Sequence, residues 1–94
     1  MFAKRAGIPF TAWQLILIVL LEQNEPVYTT KAFFLAGINS QPGGKAVTYL
    51  LNAGLIKREQ HYYQKLLRLT PTGRRVAEYL KKARDEMGPE AKGA

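Results

Sequence analysis

The sequence predicts a mainly α-helical protein with a small β-hairpin, a fold of the α+β class, on three observations. Threonine, serine or proline start signals stand before four apolar segments that have helical spacing. Glycines stand where three of these segments end. Between the third and the fourth segment, residues 55–70 hold two runs typical of β-strands. The chain of 94 residues shows no internal repeat and no long linker, so residues 1–94 are expected to form one domain.

The first helix, with its cap, is predicted at residues 11–23, after a basic N-terminal arm at residues 1–8. Thr11 and Gln14 have the spacing of a capping box, in which each side chain pairs with a backbone amide of the first turn. The run Leu15–Leu21 is apolar on all sides and rich in β-branched residues, so a buried strand is the alternative. The cap, the length and the polar ending favour a helix. A helix with no polar face also indicates a subunit interface.

The second helix is predicted at residues 31–36, after a short extended segment at Val27-Tyr28. Thr29 or Thr30 is the expected cap, and Gly37 ends the helix in a left-handed conformation. The apolar side of this helix is expected to comprise Ala32, Phe33, Leu35 and Ala36.

The third helix is predicted to run to about Ala53, where Gly54 stops it. Ser40 or Gln41 is the expected cap, and Pro42 lies near the first helical position, where its missing amide costs nothing. The buried stripe of this helix is expected to comprise Val47, Leu50 and Leu51.

Residues 55–70 are predicted to form two strands, Leu55–Gln60 and Leu66–Thr70, joined through His61–Lys65. The connection contains no glycine or asparagine, so the sequence specifies no turn type. The hairpin rests on its context more than on local turn chemistry.

The last helix is predicted at residues 71–87, with a frayed tail at residues 88–94. Thr70 is its expected cap and Pro71 takes its first position. Apolar residues recur at intervals of three and four along it, which gives one apolar side. That side comprises Val76, Tyr79, Leu80, Ala83 and Met87.

The charge of the chain points to a polyanionic partner. Lysine and arginine number 14 against 7 acidic residues, which gives a formal net charge of +7. Nucleic acid or an anionic membrane surface suits this balance, and the alternative is a basic surface that only keeps the protein in solution. The longest uncharged apolar run, Leu15–Leu21, is far shorter than the roughly 20 residues needed to span a bilayer. We expect a cytoplasmic protein without a membrane partner.

The residue types exclude several kinds of chemistry. No cysteine is present and His61 is the only histidine, which excludes disulfides, thiol catalysis and zinc sites built from thiolates or several histidines. Asp85 is the only aspartate, and no glycine-rich phosphate loop with its lysine and serine occurs. An enzyme is therefore not expected. The sequence predicts no cofactor and no metal ion.

The predicted order of elements is that of the winged-helix fold. The stretch Leu50-x-x-x-Gly54-Leu55-Ile56-x-Arg58 resembles the passage from recognition helix to wing in many winged-helix transcription factors. The stretch Leu69-Thr70-x-x-Gly73-Arg74 resembles the passage from wing to last helix in the MarR and PadR groups of regulators. The resemblance covers residues 11–87. The wing loop is short and lacks the acidic residue and arginines usual in MarR proteins, so a compact archaeal, viral or plasmid regulator matches equally well.

The resemblance implies double-stranded DNA as the partner, with residues 30–54 as the helix-turn-helix and the third helix in the major groove. Gln41 suits adenine, and Lys45 suits guanine or a phosphate. The residues expected at the groove are Ser40, Gln41, Gly43, Gly44, Lys45, Thr48 and Tyr49. A basic wing is expected on the backbone or in the minor groove, and the alternative is a solvated hairpin with Tyr62 or Tyr63 packed on the domain. The wing and backbone set is Lys31, Lys57, Arg58, Tyr62, Lys65 and Arg68.

The pair Gly43-Gly44 requires a reason, because glycine inside a helix costs about 1 kcal/mol relative to alanine. One interpretation is that bare amides at a helix N-terminus approach a phosphate closely. The other is that the third helix begins later and that Pro42-Gly43-Gly44 is a turn.

The apolar side of the last helix either covers its own domain or pairs with helix 1 and a second copy. We prefer a homodimer, which would set two recognition helices about one DNA turn apart. Its expected interface comprises Trp13, Leu17, Leu20, Val76, Tyr79, Leu80, Ala83 and Met87. The sequence thus predicts a homodimeric, sequence-specific regulator of transcription. The alternatives are a winged-helix module that binds protein within a larger complex, and a binder of RNA or of a membrane surface.

Overall fold

The structure, a computed structural model, describes residues 10–24 and 26–87. Four helices and three strands follow one another in this part of the chain, and the predicted order and α+β class are confirmed. The predicted arm at residues 1–8 and the tail at residues 88–94 lie outside the described residues. The elements are α1 Ala12–Gln23, β1 Val27–Tyr28, α2 Thr29–Ala36, α3 Ser40–Asn52, β2 Ile56–His61, β3 Gln64–Leu69 and α4 Pro71–Met87.

The apolar run after Thr11 is helical, so the alternative of a buried strand is wrong. The backbone N–H of Thr11 donates to Oε1 of Gln14 over 2.8 Å, and the Thr11 hydroxyl lies 3.2 Å from the same oxygen. This is the reciprocal bond of a capping box, in which the N3 side chain reaches back to the cap. At the other end, Asn24 takes a φ of 57° and its N–H bonds to the carbonyl of Leu20.

Helix α1 is the centre of the fold, which explains why no face of it is polar. It packs against α2, α3, α4 and β3. Leu17 and Leu20 are 0% and 2% exposed within the single chain, so their placement at a dimer interface was wrong. The apolar run does need partners on several sides, but the chain supplies them itself.

Helix α2 begins two residues earlier than predicted, and its apolar side is narrower. Thr29 is its first residue, after Tyr28 at the cap position, so neither threonine caps it. Gly37 ends it as expected, with a φ of 72°. Leu35 is 41% exposed and does not belong to the core. It lies at the edge of the side formed by Ala32, Phe33 and Ala36, and Phe34 points away from that side altogether.

The three strands form one antiparallel sheet with β3 in the middle, in the order β1-β3-β2. Ile56 pairs with Leu69 at the base of the hairpin, and His61 pairs with Gln64 at its tip. Only Tyr62 and Tyr63 remain for the turn, so the predicted five-residue connection was too long. Tyr62 has a φ of 58°, a conformation that glycine or asparagine usually supplies. The turn therefore forms without the glycine or asparagine that usually marks such a turn in a sequence.

The base of the hairpin is joined to the start of α4 by Thr70. Its hydroxyl donates to the carbonyl of Gly54 over 2.7 Å and accepts the N–H of Gly73 over 3.0 Å. Its own N–H bonds to the carbonyl of Leu55 over 3.1 Å. A Cβ on Gly73 would lie 1.7 Å from that same carbonyl oxygen. The predicted cap is thus confirmed, and Gly73 is required because backbone occupies the space of a side chain.

We predict that Gly73→Ala destabilises the protein by about 3 kcal/mol, because a methyl group cannot enter that space unless α4 or the β2 strand shifts. Urea denaturation measures the change. The matched control is Thr72→Ala, an exposed position in the same helical turn, which is expected to change stability by less than about 0.5 kcal/mol. Equal effects of the two substitutions would contradict this account of Gly73.

Candidate nucleic-acid interface

Helix α3 presents one continuous polar face. Its buried residues are Gly43, Ala46, Val47 and Leu50, and the opposite side is open to solvent. Gln41, Lys45 and Thr48 are exposed and are spaced by four and three residues, so they share that open side. The helix begins at Ser40, after Asn39 at the cap position. Ser40 is therefore the first residue of the helix and not its cap.

Gly43 and Gly44 both lie inside α3, so the interpretation of Pro42-Gly43-Gly44 as a turn is wrong. The N–H of Gly43 makes a helical bond to the carbonyl of Asn39 over 2.9 Å. A Cβ on Gly43 would meet the ring of Phe33 at 2.7 Å, whereas one on Gly44 would meet nothing within 4 Å. Gly43 therefore lets α3 pack closely on α2 and does not face the open side. Only Gly44 remains for close approach to a ligand.

The side chain of Tyr49 is directed towards α1 and away from the side of α3 that Gln41, Lys45 and Thr48 share. Its ring centroid lies 5.4 Å from that of Trp13, and its side chain remains 53% exposed. Trp13 is itself partly buried against the core. The two rings, predicted for different surfaces, contact each other and connect α3 with the start of α1.

The four basic residues of the wing divide between its two sides. Residues opposite each other in an antiparallel pair point to the same side of the sheet. Lys57 is opposite Arg68, whereas Arg58 is opposite the buried Leu67. Lys65 is opposite Gln60, two residues beyond Arg58, and so shares the side of Arg58. The predicted wing set is therefore two pairs, Arg58 with Lys65 and Lys57 with Arg68.

The pair on the outer side has part of its charge neutralised. Nε and Nη2 of Arg68 lie 3.0 and 3.3 Å from the two carboxylate oxygens of Glu59. This hydrogen bonding lowers the pKa of Glu59 below its ordinary value, helped by the charges of Arg68 and Lys57. Arg58 and Lys65 have no such carboxylate beside them in the salt bridges of the described residues.

Arg58 and Lys65 border an open groove between the wing and the start of α2, which we call the wing groove. The hydroxyl of Thr29 bonds to the carbonyl of Lys65 over 3.1 Å and holds the two elements together. The groove has a volume of about 370 Å³ and is lined by Tyr28, Thr29, Thr30, Arg58, Tyr63, Gln64 and Lys65. Thr30 and Gln64 were not among the predicted site residues, because only the packing of α2 beside the wing brings them to this groove.

Carboxylates are distributed unevenly along the chain. Residues 26–58, which comprise β1, α2, α3 and the start of the wing, contain four basic residues and no acidic one. The four are Lys31, Lys45, Lys57 and Arg58, and all are exposed. Among residues 10–24 and 26–87, no three acidic or histidine side chains are grouped as a metal site requires. The exposed cations of this stretch can attract a polyanion, and the stretch contributes no carboxylate of its own.

The α4 residues predicted for the dimer interface differ in how far they are buried. Val76 and Leu80 are partly buried and pack against the core, whereas Tyr79 is 73% exposed and Ala83 is open to solvent. The side chain of Met87 lies outside the described residues. An ion pair joins α4 to α1, with 2.6 Å between Nη2 of Arg84 and Oε2 of Glu22, and this bond raises the pKa of Arg84. No described helix is both long and apolar enough for a membrane span.

Solved structures with the same architecture exist at low sequence identity. AF1382 from Archaeoglobus fulgidus superposes with a TM-score of 0.73 at 18% identity, over 87% of this chain and 92% of that one. SSV1 F-93 gives 0.70 at 25% identity, over 84% and 92%. A probable transcriptional regulator from Pseudomonas aeruginosa gives 0.70 at 26% identity, over 96% and 70%. No protein-family model matches the sequence, and curated proteins give no significant sequence match.

The chain has the winged-helix fold. Two further structures with this fold are a MarR-family regulator from Silicibacter pomeroyi, with a TM-score of 0.68, and Sso10a-2, a DNA-binding protein from Sulfolobus solfataricus, with 0.63. The chain covers 57% of the length of the first and 75% of the second. The resemblance seen in the sequence, to MarR-like and compact archaeal or viral winged-helix proteins, is confirmed.

We predict that alanine has opposite effects at the two glycines of α3. Gly43→Ala is expected to destabilise the protein by about 1–3 kcal/mol, because the ring of Phe33 must move. Gly44→Ala is expected to stabilise it by up to about 1 kcal/mol, because the site is open and alanine favours the helix. Urea denaturation of both variants checks the signs. Stabilisation by both would show that the contact of Gly43 with Phe33 does not restrict the helix.

Proposed function

We propose that this winged-helix protein is a sequence-specific regulator of transcription that binds double-stranded DNA, with α3 in the major groove and the wing beside it. The observation that carries the proposal is the solvent-exposed side of α3. This helix lies within residues 26–58, a stretch that contains basic residues and no acidic one. The first helical turns of a recognition helix meet base edges, and phosphate contacts fix its register. Several structures that share the fold are described as regulators or DNA-binding proteins.

The geometry supports a division of roles within this interface. Gln41, Lys45 and Thr48 would meet base edges, with Ser40 and Gly44 at the nearby phosphates. Arg58 and Lys65 would follow the backbone from the wing groove, with Lys31 as a further backbone contact. Lys57 and Arg68 are on the other side of the wing and would contribute less. Gly43, which packs on Phe33, and Tyr49, which contacts Trp13, are not included. A binding function of this kind requires no catalytic residue and no cofactor.

We predict that affinity for a random-sequence duplex falls with rising salt, because released counterions drive binding to phosphates. The logarithm of affinity is expected to fall linearly with that of salt, by about 0.9 per phosphate contact. Arg58→Ala should reduce that slope by about 0.9, and Lys57→Ala should reduce it less. Lys45→Ala should lower affinity for a duplex selected by the protein about tenfold, the cost of one base contact. Fluorescence anisotropy measures all three.

Lys82→Ala removes an exposed positive charge from α4, outside the proposed interface, and is the matched control. It is expected to bind like the parent protein. Affinity that does not depend on salt would overturn the proposal of DNA binding. An equal loss in the Lys82 and Arg58 variants would leave DNA binding in place and contradict the position of the interface.

We further propose that two copies associate through the outer side of α4. Tyr79 is a large exposed aromatic residue, and Ala83, one turn on, leaves space for a partner's side chain. Val76 and Leu80 at the edge of this side, and Trp13 at the start of α1, would complete the contact. A two-fold axis there would allow both copies of α3 to reach one duplex.

We predict that Tyr79→Glu converts a dimer at micromolar concentration into a monomer, because a charge would be buried in the interface. Sedimentation velocity measures the state. The melting temperature of the monomer should be unaffected by the substitution itself, because the side chain is solvated in the single chain. Phe34→Glu replaces an aromatic residue on α2 that is at least as exposed as Tyr79, and it should leave the dimer intact. A parent protein that sediments as a monomer would exclude the association.

A further inference from the structure

The tip of the wing carries two tyrosines whose side chains are almost fully in solvent. Tyr62 is 84% exposed and Tyr63 is 98% exposed. A tyrosine ring stabilises a fold when it is buried, so a ring in water contributes almost nothing to folding. A two-residue turn is also the place where glycine, asparagine or aspartate would be expected. Folding alone therefore does not account for two large aromatic rings at this position, which indicates a role in binding.

The two tyrosines differ in how they are held. The ring of Tyr62 meets that of His61 edge to face, with centroids 4.7 Å apart. His61 in turn lies against Tyr28 of β1, with Nδ1 and the phenol oxygen 3.4 Å apart. Nε2 of Gln60 donates to the carbonyl of Tyr62 over 2.7 Å. Tyr62 is thus part of an aromatic row that braces the turn against the sheet, whereas Tyr63 projects from the braced turn with almost no contact of its own.

Positive charge flanks Tyr63 on the side that faces the wing groove. Arg58 and Lys65 line that groove together with Tyr63, and both side chains are exposed. A planar ring at the wing tip, with two cations on the strands next to it, suits a surface that is anionic at its edges and aromatic within. A nucleic acid duplex has this character, with phosphates along the edges of the minor groove and stacked bases between them.

We propose that Tyr63 is a wedge that enters the minor groove beside the site read by α3 and partly unstacks one base step. The inference rests on the proposed DNA binding and names a further role for the wing. Side chains that insert between base pairs bend the duplex toward the major groove, and the cost of unstacking is repaid by the added contact. Arg58 and Lys65, which lie nearer the base of the wing than Tyr63, hold phosphates next to the opened step. The braced turn reduces the entropy lost when the ring is positioned.

Two consequences follow for the DNA. Pyrimidine–purine steps, TA above all, unstack most easily, so the wedge favours such a step at a fixed distance from the bases that α3 contacts. The wing then contributes to sequence preference without a hydrogen bond to any base. A step that is already weakened by a mispair costs less to open, so it should be preferred for the same reason.

The experiment compares two duplexes of about two helical turns, roughly 20 base pairs. One is fully paired and has a central TA step. In the other, a single T·T mispair replaces one of the two base pairs of that step. Affinities of the full chain are measured by anisotropy at one salt concentration. The parent protein is expected to bind the mispaired duplex at least about tenfold more tightly, since unstacking costs at least that factor. Tyr63→Ala is expected to reduce this ratio to near one, and Tyr63→Phe to keep it.

Two controls make the result specific. Phe34→Ser removes another exposed aromatic ring, from α2, and should retain the parent's ratio. A 2-aminopurine placed next to the TA step should brighten on binding of the parent and not of Tyr63→Ala, because the probe reports unstacking. The melting temperatures of both tyrosine variants should equal the parent's, since the ring packs against nothing.

The outcomes separate the two proposals. Salt-dependent binding with the same mispair preference in the parent and in Tyr63→Ala overturns the wedge and leaves DNA binding intact. Retention of the preference in Tyr63→Ala with loss in Phe34→Ser also overturns it. Absence of any duplex binding overturns the proposed function, and the wedge with it.

Discussion

The fold depends on the contact between residues 54–55 and residues 70–73. Thr70 closes the hairpin at its base, ends the sheet and starts α4 through three hydrogen bonds. Gly73 makes this possible, because its missing Cβ leaves room for the carbonyl of Leu55. The end of α3, both long strands and the start of α4 are therefore fixed relative to one another at one point. A displacement there would move the wing and α3 together.

The two short motifs that indicated the fold in the sequence are the two sides of this contact. Gly54 and Leu55 belong to the first motif, and Thr70 and Gly73 belong to the second. Their joint occurrence was informative because each supplies what the other requires, a carbonyl for the hydroxyl and a gap for the carbonyl. Neither motif alone specifies a tertiary contact. This is a physical reason for the resemblance, and it holds at the low sequence identity of the structural neighbours.

Local signals in the sequence predicted the helices well. Which residues face the core and which face solvent became clear only from the tertiary structure. The bounds of α1 followed from Thr11 and from the polar ending, because caps act within one turn. The same run gave the wrong partner for Leu17, since periodicity shows that a face is buried and not what buries it. Gly43 and Gly44 are identical in sequence terms and differ only because Phe33 lies beside one of them. The turn at Tyr62 was missed because a φ of 58° is held there by neighbours and not by residue type.

The distribution of charge affects which side of the molecule attracts a polyanion, as well as how strongly it is attracted. Helix α4 has as many basic residues as any element, but its carboxylates lie among them, with Lys81 3.7 Å from Asp85 and Arg84 between Asp85 and Glu22. Such pairs largely cancel at a distance beyond about 10 Å, the screening length at moderate salt. The stretch 26–58 contains no carboxylate of its own, and of its four cations only Lys57 has the carboxylate of Glu59 nearby. Its cations therefore remain available to attract a polyanion to the side that carries α3 and the wing groove, which is the face of the proposed interface.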